Sequence, residues 1–107
     1  MTRVIEADSR PWLPMAGQEG NAFKILSVTE NPRQVVMIVR FAPNALYPRH
    51  IHKCCAVAYT VEGEWEYAEG VLPTGSCAIE PPDSDHEPRI SDKGATIFAV
   101  LNSDNDD

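Results

Sequence analysis

The chain is expected to fold as one all-β domain, a small antiparallel β-barrel or jelly roll, on three observations. Nine prolines and six glycines are scattered between short apolar runs, so a breaker recurs about every ten residues, as in sandwiches and barrels. The runs themselves favour Val and Ile, and helical periodicity finds little support. Finally, 107 residues suffice for a single compact domain with a modest core and leave no room for a second.

Residues 10–14 (RPWLP) are held extended by their prolines, and residues 23–28 are expected to add an edge strand. The clearest strand is 34–41 (QVVMIVRF), ended by the turn Ala42-Pro43-Asn44-Ala45. Residues 50–61 and 65–67 read as two strands joined by a tight turn at Glu62-Gly63-Glu64. A short strand at Val71-Leu72, a Pro73-Thr74-Gly75 turn, a strand at 76–80, the break Pro81-Pro82-Asp83 and a last strand at 95–101 complete the series. The expected body is residues 1–102, followed by a solvated acidic tail at 103–107, SDNDD, with too little apolar matter to pack.

Nine Lys and Arg against sixteen Asp and Glu give a formal charge of −7, which disfavours phosphate backbones and anionic membranes. Neither nucleic acid nor membrane is therefore an expected partner. No run approaches the roughly 18 apolar residues of a membrane span, and the start MTRVIEAD lacks the apolar core of a secretory signal, so a cytoplasmic location is expected. The odd cysteine count, with Cys54 and Cys55 adjacent and Cys77 apart, has neither a CxxC pair nor zinc-finger spacing. Reduced thiols in a reducing compartment fit it best.

The only three histidines are His50, His52 and His86. On a strand, residues i and i+2 share a face about 7 Å apart, so His50 and His52 can converge on one ion. A solvated surface pair with a stray third histidine has the same composition. The surrounding punctuation favours the metal: Gly63 follows His52 by eleven residues, and Gly75 and Pro81 precede His86 by eleven and five. Closure of a barrel would bring His86 opposite the pair. Alternation places Cys54, Ala56 and Ala58 on the ligand face and Ile51, Cys55, Val57 and Tyr59 on the other. Small residues on that face leave room for a substrate, and Cys54 would lie near the metal or act as a small buried residue. Trp12, Trp65 and Tyr67 are candidates for a pocket, a dimer contact or the core.

With His50, His52 and Gly63 in place, and Gly75, Pro81 and His86 after them, the sequence resembles the cupin family, whose fold is the RmlC-like jelly roll. Asn44 stands where the first motif has its leading glycine, and Asp83 where the second has its second glycine. Both types tolerate the left-handed backbone region. Ile90 replaces the closing Asn of the second motif, at the cost of a turn hydrogen bond but of no ligand. Only eleven residues separate the motifs, so the resemblance is to a minimal cupin. Pro11-Trp12, Phe23-Lys24-Ile25-Leu26, Pro48-Arg49-His50, Val61-Glu62-Gly63-Glu64-Trp65 and Glu80-Pro81-Pro82 look like cupins of two kinds. One comprises the acetylacetone- and dihydroxyacetophenone-cleaving dioxygenases, the other the cupin part of ChrR-type anti-sigma factors.

The resemblance implies one divalent metal per chain, held by His50, His52 and His86. Counting along the motif puts Ala56 where the family carries a metal-binding Glu, so that ligand is missing. Three neutral imidazoles leave an ion with its full double charge and about three open positions if six-coordinate, which favours an anionic chelate such as an enolised dicarbonyl or a hydroxyketone. Fe2+ is preferred, with Zn2+, Ni2+ and Mn2+ as alternatives. The implied activity is an iron(II) dioxygenase acting on such a small molecule and O2. The alternative is a non-catalytic metal-binding or ligand-sensing module acting through a partner, like an anti-sigma factor. Glu80 and Arg40 are the candidate catalytic groups. Glu80 either orients a ligand histidine or bound water, or is a solvated edge carboxylate. Arg40 meets an anionic substrate if it points inward, and is a plain outward arginine otherwise. A homodimer is expected, because a small core gains from burying a sheet edge.

Overall fold

A computed structural model describes residues 2–51 and 53–103; His52 and the tail from residue 104 onward lie outside the described residues. Apart from one 3-10 turn, Ala7–Ser9, the regular structure is all antiparallel strand. In chain order these are β1 (Leu13–Pro14), β2 (Ala22–Glu30), β3 (Arg33–Phe41), β4 (His50–Ile51), β5 (Cys55–Tyr67), β6 (Gly70–Pro73), β7 (Cys77–Glu80), β8 (Asp85–His86) and β9 (Arg89–Ser103). The main sheet runs β1-β2-β3-β9-β5-β6, with β7 also paired to β5, while β4 and β8 form a separate two-stranded ladder. The all-β, antiparallel expectation is borne out.

β9 is the spine, paired with β3 from Arg33↔Ser103 to Phe41↔Ala95 and with β5 from Cys55↔Asn102 to Glu66↔Arg89. It is longer at both ends than the run 95–101 expected from apolar residues alone. At its N-terminal end Arg89 and Ile90 pair with Glu66 and Trp65 of β5, which extends the strand beyond the apolar run. Alternation turns Val39, Phe41, Ala58, Ile97 and Ala99 inward, and these pack with Trp65, Ile90 and Ala95 into the core. Ile90, where the second motif would have Asn, is buried in this cluster and pairs in register with Trp65. That residue supplies packing where the motif would place a polar side chain.

Two expectations change. The Glu62-Gly63-Glu64 segment is not a hairpin turn: β5 passes straight through it, with register shifts between Thr60 and Glu62 and between Gly63 and Trp65. Gly63 has φ +82, and a Cβ there would lie 2.1 Å from the Gly94 carbonyl oxygen, so only glycine lets the two strands approach. The extra residue, Val61, changes the parity of β5. Thr60 and Trp65, five apart, therefore both face inward, and the Trp65 indole N–H donates to Thr60 Oγ1 at 2.8 Å. The real hairpin is one turn later, where Tyr67 pairs with Gly70. Nor is 50–61 one strand, since bends at Lys53 and Cys54 separate β4 from β5.

The two motif positions that lost glycine keep its backbone. Asn44 has φ 55 and Asp83 has φ 64, the two positive-φ residues other than glycine among the described residues. Both turns survive because Asn and Asp enter this region at low cost.

Candidate functional site

The inner face of the sheet lines an open cavity of about 190 Å3. Its walls are mostly apolar, from Met37, Val39, Phe41, Trp65, Ile97 and Leu101, and the small side chains of Ala56, Ala58 and Ala99 create the space. The polar exceptions, Tyr47, His50, Tyr67 and Glu80, gather toward the β4–β8 ladder. Drug-sized ligands occupy about 300–1,000 Å3, so this cavity admits only a small molecule.

The ladder puts His50 directly opposite His86 in register, with ring centroids 6.1 Å apart. Just before β4, the Arg49 guanidinium donates to Asp85 on β8, Nε to Oδ1 2.9 Å, and holds the Asp85 carboxyl below its ordinary range. The His50 Nδ1 lies 3.0 Å from the Pro48 carbonyl oxygen. A carbonyl only accepts, so Nδ1 carries the proton and the imidazole lone pair sits on Nε2.

Glu80 is not a solvated edge carboxylate. It is 3% exposed, faces inward from β7, and its Oε1 stands 3.2 Å from His86 Nε2. The Tyr67 hydroxyl donates to the same Oε1 at 2.9 Å, and the Tyr67 ring stacks on the His86 imidazole with centroids 4.3 Å apart. Burial, and then the Glu80 charge, push the Tyr67 phenol far above its usual range, and the same two causes raise Tyr47. The Tyr67 phenol thus keeps the proton that it donates to Glu80. His86, 6% exposed, packs behind Glu80 toward an outer polar groove lined by Arg49, Glu66, Asp85 and Arg89.

Arg40 is not part of this site. It is exposed on the outer face, its guanidinium 4.1 Å from the centre of the Trp12 ring, which also receives the Lys24 ammonium at 4.7 Å. Trp12 is thereby an outer clamp for the N-terminal segment rather than a pocket residue, and Lys24 Nζ also donates to the Ala7 carbonyl. Cys54 sits in the bend before β5 and does not line the cavity, unlike Ala56 and Ala58.

The structure thus brings His50, His86 and Glu80 together, separates Arg40 from them, and leaves His52 outside the described residues. Tyr67, a pocket candidate on sequence, lines the cavity, and so does Tyr47, which no sequence signal marks. Among the described residues, no three His, Cys, Asp or Glu side chains form a ready-made metal cluster. The donor types do fit a divalent ion: two imidazoles on paired strands, one with its lone pair on Nε2, beside a buried carboxylate.

A profile of the ChrR cupin-like domain matches residues 1–103. No curated protein sequence matches the chain. Among solved structures, an RmlC-like cupin protein from Ralstonia eutropha superposes with a TM-score of 0.87 at 22% identity, covering 96% of this chain and 69% of that one. An acetylacetone dioxygenase from Acinetobacter johnsonii gives 0.77 at 14% identity, covering 95% and 73%. The complex of Rhodobacter sphaeroides SigE with the anti-sigma ChrR gives 0.75 at 14% identity, covering 90% of this chain and only 51% of that one.

Proposed function

Because the chain belongs to the ChrR cupin-like family, we propose that it is a metal-dependent cupin whose cavity binds a small chelating organic molecule, as an iron(II) dioxygenase of a dicarbonyl or hydroxyketone. The observation that carries this reading is a small apolar cavity with His50 and the buried carboxylate of Glu80 in its wall and His86 against that carboxylate. His50 and His86, with His52 as the sequence predicts, would hold the ion, one per chain. Fe2+ is preferred over Zn2+, Ni2+ or Mn2+. When bound, such an ion supplies Lewis acidity toward two substrate oxygens and, as iron(II), an electron source for O2. The protein does the rest. Met37, Val39 and Phe41 present the substrate's carbon skeleton with a dry wall. Pro48 fixes the His50 tautomer, and Tyr67, kept protonated by burial, pins one oxygen of Glu80.

The experiment is oxygen uptake by iron-loaded protein over a panel of β-diketones and hydroxyketones. Uptake that disappears in His86→Ala is expected. A flat trace across the panel in protein that holds iron would refute catalysis and leave the second reading, a ligand-sensing module acting through a protein partner, which the ChrR family membership favours.

The proposed assembly is a homodimer and the proposed location the cytoplasm, where Cys54, Cys55 and Cys77 would stay reduced. Support for the dimer comes from the outer sheet face rather than from an edge. Tyr59 pairs with Phe98 and Val57 with Ile79 on adjacent strands, and Tyr59, Phe98 and Ile79 are exposed. On a chain of charge −7, an uncharged apolar face is where a second copy meets least repulsion.

A further inference from the structure

We propose that Glu80 is itself a ligand of the bound ion, delivered from β7 rather than from β5; this rests on the reading that the site holds a divalent metal. The first argument is geometric: His86 Nε2 and Glu80 Oε1 face each other at 3.2 Å in a buried environment. An Nε2–H would donate to the carboxylate there, and a metal ion taking the place of that proton would meet both atoms. Ligand atoms at about 2.1 Å from one ion stand about 3.0 Å apart when cis in an octahedron and about 3.4 Å apart in a tetrahedron, which brackets the observed distance.

The second argument is register. Glu80 is the direct cross-strand partner of Ala56 on β5, and Ala56 in turn partners Leu101 on β9. Ala56 and Glu80 are therefore neighbours on the inward face, with Cβ atoms about 5 Å apart in such pairs. A methyl group at Ala56 leaves the space beside it open to the longer side chain from β7. A carboxylate that reaches the centre from this position needs no change in the backbone of either strand. The third argument is support: the Tyr67 hydroxyl fixes Oε1, and the stacked Tyr67 ring fixes the His86 imidazole, so one residue positions both donors. The resulting donor set comes from β4, β7 and β8.

The test titrates apo protein with Co2+ and reads affinity and the visible d–d spectrum at saturation, which reports the number and kind of ligands without any turnover. One equivalent is expected in the wild type. Glu80→Gln keeps an acceptor for Tyr67 and nearly the same volume, so it should fold, which its melting curve checks. It is expected to lose at least 100-fold in affinity and to shift the saturated spectrum. The double variant Ala56→Glu, Glu80→Gln moves the carboxylate one strand over and should recover at least tenfold, with a spectrum returning toward wild type. A residue that only orients His86 would weaken binding but leave the saturated spectrum unchanged, and that result in Glu80→Gln overturns the proposal. Should Glu80→Gln fail to fold, the double variant decides alone: a folded protein with no gain over His50→Ala overturns it. Wild-type protein that takes up no Co2+ overturns this proposal together with the metal reading, whereas uptake indifferent to Glu80 overturns this proposal alone.

Discussion

Gly63 and Gly75 offer a matched pair of substitutions that isolates how β5 turns Trp65 into the cavity wall. Both glycines have positive φ, +82 and +89. Alanine in that region costs about 1–2 kcal/mol, partly offset by the roughly 0.4–1 kcal/mol that alanine removes from unfolded-chain entropy. At Gly75 a Cβ meets nothing within 4 Å, so Gly75→Ala should cost only this backbone difference, about 1 kcal/mol. At Gly63 the same Cβ would stand 2.1 Å from the Gly94 carbonyl oxygen and 2.9 Å from Ala95 Cα. Both neighbours are backbone in the paired strand and cannot swing aside, so overpacking adds about 1–3 kcal/mol more. Gly63→Ala is therefore expected to lose about 3 kcal/mol, a large share of the roughly 5–15 kcal/mol that stabilises a domain. At about 4–8 °C per kcal/mol, its Tm should fall by about 15 °C, against about 5 °C for Gly75→Ala. Urea denaturation followed by Trp65 fluorescence measures both. Equal losses in the two variants would refute the reasoning, because they would mean that β5 and β9 part at Gly63 without cost.

Thr60 is fully buried, and its hydroxyl accepts the Trp65 indole N–H. Thr60→Val should strand that donor and cost about 1–3 kcal/mol in urea denaturation, while Thr60→Ser should cost less. Tyr67 and Tyr47 have folded-state pKa values raised above the unfolded value of 10.0, so above that pH the folded state binds more protons than the unfolded one. Stability should be level with pH up to about 10 and decline beyond it, and Tyr67→Phe should flatten the decline; an unaltered alkaline limb in calorimetry would contradict the burial assigned to Tyr67. For the dimer, sedimentation at micromolar concentration should show twice the chain mass, and Tyr59→Lys with Ile79→Lys should reduce it to one. A wild-type monomer would refute the assembly.

The strands were legible where composition decided them. The run 34–41 is strand β3 almost to the residue, because β-branched side chains suit a pleated, half-buried surface whatever their partners. The turns at Asn44 and Asp83 were legible for a local reason too, since both residues carry the left-handed backbone themselves. Gly63 was misread because glycine marks a bulge and a turn with the same signal. Deciding between them required knowing that Gly94, thirty-one residues away, presses against it.

The site divides along the same line. Spacing set His50 beside His52, which lies outside the described residues, whereas His86 joined them only through the expected closure and the cupin resemblance, and the fold sets it opposite His50. Arg40 could not be placed, since its direction depends on Trp12 folding back over the outer face to receive it. Glu80 could be singled out by the cupin resemblance, six residues before His86, but its burial could not be read along the chain. What raises it from an edge carboxylate to a buried partner of His86 is its pairing with Ala56, and the vacancy that reads in the sequence as a lost carboxylate becomes in the fold the space that admits one. A motif read along one strand records which residue left; the ladder beside it determines whether another strand can fill the same point. The cross-strand swap of carboxylate between Glu80 and Ala56 tests that step, because the two positions differ in chain location and share one place on the inner face.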